Sequence, residues 1–190
     1  MILNAIENEA LREELIARAE RDQELLQSLK DAGELMDDEY HPQLKQLHQD
    51  NTLRARELLR EGGWPGISQV GEDGSDAMWL IVQHSVLEPE FMLSCVPELE
   101  RLVRKNEAKG WQLAFLQDRA LMLQEQPQIY GTQHLLDADG ELQPYRLADP
   151  AGVDELRKAV GLEPLAERTR LLRADRERVL RARKAREEEA

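Results

Sequence analysis

DAMWLIVQHS, residues 76–85, holds the most hydrophobic run of the 190-residue chain. Wound as a helix, it carries apolar side chains on every side, which marks an element enclosed by others. A buried helix needs neighbours, and the flanking sequence supplies them. From Asn4 to about Leu29, Ile6, Leu11, Leu15, Ala19, Leu25, Leu26 and Leu29 recur near the helical period, and Gly33 is the expected break. A second helix is predicted from Pro42 to about Glu61, with Leu44, Leu47, Asn51, Ala55 and Leu58 on one stripe and proline in its first turn. EGGWPGISQVGEDGSD, residues 61–76, reads as a glycine-rich loop with Ser75 capping the buried helix.

Downstream, Pro89 opens a helix with Phe91, Cys95, Leu99 and Leu102 on one face, in which Pro97 predicts a kink or a fresh start. Gly110 separates it from WQLAFLQDRALMLQEQ, a mostly apolar helix ended by Pro127. Only then does the period change to two. QIYGTQHLLDADGELQPYRL, residues 128–147, alternates around the turn signal DADG, and Pro144 confines the hairpin to an edge. A short helix from about Val153 to Val160 ends at Gly161, and Pro164 opens the last helix. The fold class expected is mainly α: a single helical domain of about six to seven helices with one small β-hairpin and long terminal helices. The domain is drawn over residues 1–167, with 168–190 as a basic C-terminal helical extension.

Composition narrows the function classes. A net charge of −13 sets a field that repels nucleic acid and anionic membrane. From Arg168 onward, however, nine basic residues face five acidic ones, so nucleic acid is disfavoured except through that helix. Leu165, Leu172 and Val179 recur at sevens along it, giving a narrow apolar seam that predicts docking on the acidic first helix or on a protein partner. Cys95 is the sole cysteine, which excludes an intrachain disulfide and fits a reducing compartment. The N-terminus lacks the basic and apolar regions of a secretion signal, and the longest apolar run, AMWLIV, is far too short to span a membrane. A cytoplasmic protein is expected.

GWPGISQVGEDGSDAMWLIVQHS, LQDRALM, PQIYGTQH and VDELRKAVGLEPLAE, in that order, resemble a bacterial domain family catalogued as of unknown function. The resemblance spans about Asp50 to Glu167, brings no activity with it, and does not extend to the basic helix. It singles out an Asn before Gly-Trp-Pro, an apolar run ending in Gln-His, an Asp-Arg pair, and Tyr-Gly-Thr-Gln ahead of the hairpin.

Those polar residues interrupt apolar stretches, and burying them without partners would cost several kcal/mol in sum. They must therefore meet one another, backbone, water or a ligand. His84 reads as a general acid or base, or as a core histidine tied to a carbonyl or carboxylate. Arg119 reads as an anion clamp, or as a cation neutralised by a buried acid. Gly131 lets the backbone approach either a ligand or another element. The expectation is a pocket for a small polar or anionic molecule or a peptide, lined by Asn51, Gln83, Asp118, Arg119, Tyr130, Thr132 and Gln133, with His84 as the acid/base and hydrolase or transferase chemistry. The alternative is a non-enzymatic helical interaction or regulatory module whose buried polar residues are structural. His41 and His48 lie seven apart without a Cys or His-x-x-x-His companion, so neither a metal nor another cofactor is expected. GEDGSD lacks the Lys-Ser or Lys-Thr of a phosphate loop.

Overall fold

The computed structural model describes residues 6–35 and 40–188. Among these the chain forms α1 (Glu9–Ala32), α2 (Pro42–Gly62), α3 (Ile67–Gln83), α4 (Pro89–Arg104), α5 (Gly110–Leu123), the strands β1 (His134–Leu136) and β2 (Leu142–Pro144), α6 (Val153–Ala159) and α7 (Leu165–Glu188). The fold is mainly α with one antiparallel hairpin, as the periodicities predict. Asn4, the expected start of the first helix, lies outside the described residues. Within them α1 begins after Asn8, whose side chain accepts the Leu11 N–H at 3.1 Å.

α3 is the hub of the molecule, packing against α1, α2 and α5, while α4 packs on α5. Its Val70, Met78 and Val82 have no exposed surface and meet Leu15 of α1, Leu99 of α4 and Leu116 of α5 in one continuous core. Burying each such side chain stabilises the fold by about 1.5–3 kcal/mol. The all-round apolar pattern of residues 76–82 is thus accounted for by helices on several sides.

Two helix boundaries differ from the sequence expectation. Of the segment 61–76 only residues 63–66 are loop; α2 runs to Gly62, and α3 starts at Ile67 and takes in Ser75, which is buried within the helix and does not cap it. The break is concentrated at Gly71, whose φ of 74° interrupts the helical path. Val70, fully buried, draws the first turn onto the core and outweighs the low helix propensity of the glycines. α4 runs through Pro97 uninterrupted, because the ring stands on the exposed face, where the carbonyl it leaves without a donor can be hydrated.

The hairpin is also shorter than the alternation predicts. The ladder is confined to His134–Leu136 and Leu142–Pro144, in the register His134 to Pro144. Gln128 forms one isolated parallel bridge with Leu147, and between it and the ladder side chains occupy backbone groups of residues 129–132. Asp118 accepts the N–H groups of Ile129 (2.8 Å), Tyr130 (3.0 Å) and Thr132 (2.9 Å). Arg157, 1% exposed, donates to the carbonyls of Tyr130 (2.8 Å) and Gly131 (3.3 Å). Gly131 has a left-handed φ of 68°, and a Cβ there would stand 2.8 Å from a methyl of Leu165, so the close approach it permits is to α7.

α7 packs on the hairpin and α6, and this corrects the expected docking on the first helix. Arg173 donates to the Leu142 carbonyl at 2.8 Å and to Gln143 Oε1 at 2.7 Å, and Thr169 pairs with His134 Nε2 at 2.9 Å. A two-stranded hairpin leaves edge carbonyls without strand partners, and arginine forks satisfy them.

Candidate functional site

Three helices converge on one buried carboxylate. On α1 the buried positions Leu15, Asp22 and Leu29 recur at sevens, so Asp22 occupies an apolar slot of the stripe that faces the core. On α2, His48 lies in the buried series with Leu44, Leu47, Asn51 and Thr52. His84 is the C-cap of α3, at the end of the enclosed helix. Asp22 is 1% exposed, and both of its oxygens lie near His84 Nδ1, at 2.9 and 3.0 Å. The two imidazole rings are tilted against each other with centroids 4.9 Å apart.

His48 meets the carboxylate differently. Its Nε2 is 2.9 Å from Asp22 Oδ2, yet the ring's N–H axis misses the oxygen and the buried nitrogen has no hydrogen-bond partner among the described residues. Its other nitrogen, Nδ1, is bonded to the Tyr40 hydroxyl. Burial alone pushes the Asp22 carboxyl up. The hydrogen bond from His84 and the close approach of the His48 imidazole outweigh that effect and hold it well below the usual carboxylate range. The Tyr40 phenol is pushed up to about 12, first by burial and then by the charge of Asp22, with Arg119 pulling the other way.

Arg119, on α5, donates to the Gln83 carbonyl at 3.3 Å and to Gln133 Oε1 at 3.4 Å, both at the long end of hydrogen bonding. Burial lowers its pKa, and only the phenol of Tyr40 opposes this; no carboxylate neutralises the guanidinium among the described residues. A half-buried cation without an acid beside a buried carboxylate with two imidazoles can hold an anion and exchange a proton next to it.

The family of unknown function DUF6624 matches residues 9–179. The chain belongs to this family. No curated protein and no solved structure matches it. The DUF6624 match is wider than the motif resemblance between Asp50 and Glu167: it takes in α1 with Asp22 and the first half of α7.

Of the residues expected in this DUF6624 domain's pocket, Gln83, Arg119 and Gln133 lie together through the contacts just given, while the His84 ring turns to Asp22 and His48. Gln83 is 2% exposed; its Nε2 donates to the Phe115 carbonyl at 3.3 Å, and its Oε1 has no partner among the described residues. Gln133 is further tied to Thr132 Oγ1 at 2.9 Å. Asn51 turns instead to α1, accepting from Arg18 at 3.1 Å. Asp118 is fully buried as the clamp of the 129–132 backbone, with burial pushing its carboxyl up against the pull of those amides. The Tyr130 phenol is pushed up by burial and then by the charges of Asp118 and of Glu100 on α4. Five cavities are lined by described residues, and none of the five includes His84, Arg119 or Tyr130.

The sequence reading missed Asp22, His48 and Tyr40. A signal existed for the first two: an acid in register with Leu15 and Leu29, and a histidine on the same stripe as Leu44 and Asn51. His48 was paired with His41 by spacing along the chain, whereas folding groups it with Asp22 and His84.

Proposed function

We propose that this DUF6624 domain binds a small anionic molecule, bearing a phosphate or carboxylate, at Arg119 beside the Asp22–His48–His84 cluster, with hydrolase or transferase chemistry in which His84 exchanges the proton. The observation that carries this reading is Arg119 itself. A cation withdrawn from water, with two long hydrogen bonds and no carboxylate, is costly to the fold. Such a cost is offset when an anionic ligand fills the missing place. Asp22 supports the second half of the proposal. Held charged against His84 Nδ1, it orients the ring, so that Nε2 is the nitrogen left to exchange protons.

The competing reading, a non-enzymatic interaction or regulatory module, draws on Asp118 and Arg157, whose bonds are saturated by backbone and which act as structural clamps. Melting in the presence of inorganic phosphate and pyrophosphate separates the two. The anion reading expects a saturable rise in Tm for the wild-type protein that Arg119→Met abolishes. An equal rise in both proteins, or none in either, overturns it.

A further inference from the structure

We infer that Asp22, His48 and His84 form a binding site for one divalent transition-metal ion of the zinc class, with a coordination position left over for an exogenous oxygen ligand. The inference rests on the reading of this cluster as the functional centre and adds the chemical identity of what the cluster holds; with an ion on its Nδ1, His84 serves as a ligand and no longer as the proton-exchanging group.

Geometry is the first support. Asp22 on α1, His48 on α2 and His84 at the end of α3 each offer one donor atom, and the three atoms lie within 4.8 Å of one another; the nitrogens nearest the carboxylate are His48 Nε2 and His84 Nδ1. A tetrahedral ion with bonds of about 2.0–2.1 Å keeps its ligand atoms roughly 3.3 Å apart. The separations of 2.9 and 3.0 Å between the imidazole nitrogens and the carboxylate therefore need to open by only a few tenths of an ångström.

Direction is the second. His48 Nε2 is shielded from solvent and 2.9 Å from Asp22, yet it makes no hydrogen bond. A buried imidazole nitrogen without a hydrogen bond, this close to a carboxylate, is a donor atom open to an ion shared by both groups. The far nitrogen of His48 is held by the Tyr40 hydroxyl, the kind of outer contact that fixes ring orientation and tautomer in histidine metal ligands.

Chemistry is the third. Two imidazoles and one carboxylate form a donor set suited to zinc, cobalt, nickel or ferrous iron and too nitrogen-rich for calcium or magnesium. Three protein ligands leave a fourth position for water or for an oxygen of the bound anion. Any proton carried by the imidazole nitrogens or shared with the carboxylate leaves to solvent as the ion enters, so charge balances without redox change.

Full-length protein freed of metal with a chelator is titrated with zinc sulfate by calorimetry, and in parallel with cobalt chloride by visible absorption. The expected result is about one equivalent of zinc bound saturably, and cobalt bands of a four- or five-coordinate ion on the unmodified protein, which needs no variant to fold. His48→Gln, His84→Gln and Asp22→Asn, each checked for native circular dichroism, are expected to weaken zinc binding by about 100-fold or more. No saturable zinc binding and no cobalt bands, or variants that bind as the wild type does, would overturn the inference. Phosphate titration of the chelated protein keeps the two ideas apart. Phosphate bound through Arg119 without any metal affinity removes the ion and leaves the anion reading standing; zinc bound without phosphate affinity does the reverse.

Discussion

Replacing Arg119 by methionine is expected to leave the fold almost unchanged, because the structure gives the guanidinium little to do in its own support. Its two hydrogen bonds, at 3.3 and 3.4 Å, are long enough to contribute at most about 1 kcal/mol each. Against them stands the desolvation of an uncompensated cation, which opposes folding by a comparable or larger amount. Methionine keeps most of the apolar stem, so packing is retained. The net change should fall within about 1 kcal/mol, under about 4 °C in Tm for a chain of this size. Arg157→Met is the internal standard. Arg157 donates to the carbonyls of Glu163 (2.5 Å), Tyr130 (2.8 Å) and Gly131 (3.3 Å), and is 1% exposed. Removing it strands those acceptors in the interior and is expected to cost about 3–5 kcal/mol, or roughly 6–20 °C. Calorimetric melts of the two variants beside the wild type give the comparison directly. If Arg119→Met lowers Tm as far as Arg157→Met, Arg119 belongs to the structural network and the reasoning that assigns it to an anion fails.

Three further outcomes follow from the geometry. Asp118→Ala removes the acceptor of three backbone amides and is expected to destabilise by about 3–5 kcal/mol, with Asp118→Asn losing less; urea denaturation read by fluorescence checks the order. Gly71→Ala forces a side chain into φ 74°, with Asp73 Oδ1 2.9 Å from the new Cβ, and should cost about 1–2 kcal/mol in the same assay. Glu14 is held at about 2, chiefly by Arg54, whose two nitrogens reach it from α2 at 2.7 and 2.8 Å, and further by Arg18. A depressed carboxylate pKa contributes stability that is complete above the unfolded value and lost as pH falls through the folded one. The wild type should therefore lose stability between about pH 4.5 and 2 more steeply than Glu14→Gln, measured by melts across that range.

The helical architecture was readable because each helix announces its period. Leu44, Leu47 and Leu58 define one stripe, and the unbroken run from Ala77 to Val82 demands cover on several sides. Ser75 and Pro97 misled for the same reason: local propensity suggested a boundary where burial of Val70 and Leu99 carries the helix through. The 128–133 segment alternates like a strand, but the backbone of residues 129–132 is held by Asp118 and Arg157, residues distant in sequence whose reach no local pattern encodes. The site divides along the same line. His84, Gln83 and Arg119 stood out as polar residues in apolar surroundings. Asp22 was hidden among the many acids of a charged amphipathic helix, and only its register with Leu15 and Leu29 distinguishes it. That Asp22 meets His48 and His84 is a matter of how three helices cross.

The account turns on whether an anion seats between Arg119 and His84. Nitrogen-resolved NMR of the metal-free protein during a titration with inorganic phosphate observes both partners at once, through the Arg119 Nε–H and the His84 ring nitrogens. Phosphate should move the two sets of signals together, saturably and with a single Kd, and the ring shifts should vanish in Arg119→Met. Signals that stay fixed at concentrations of phosphate that saturate a specific site, or ring shifts that survive the loss of the guanidinium, would contradict it.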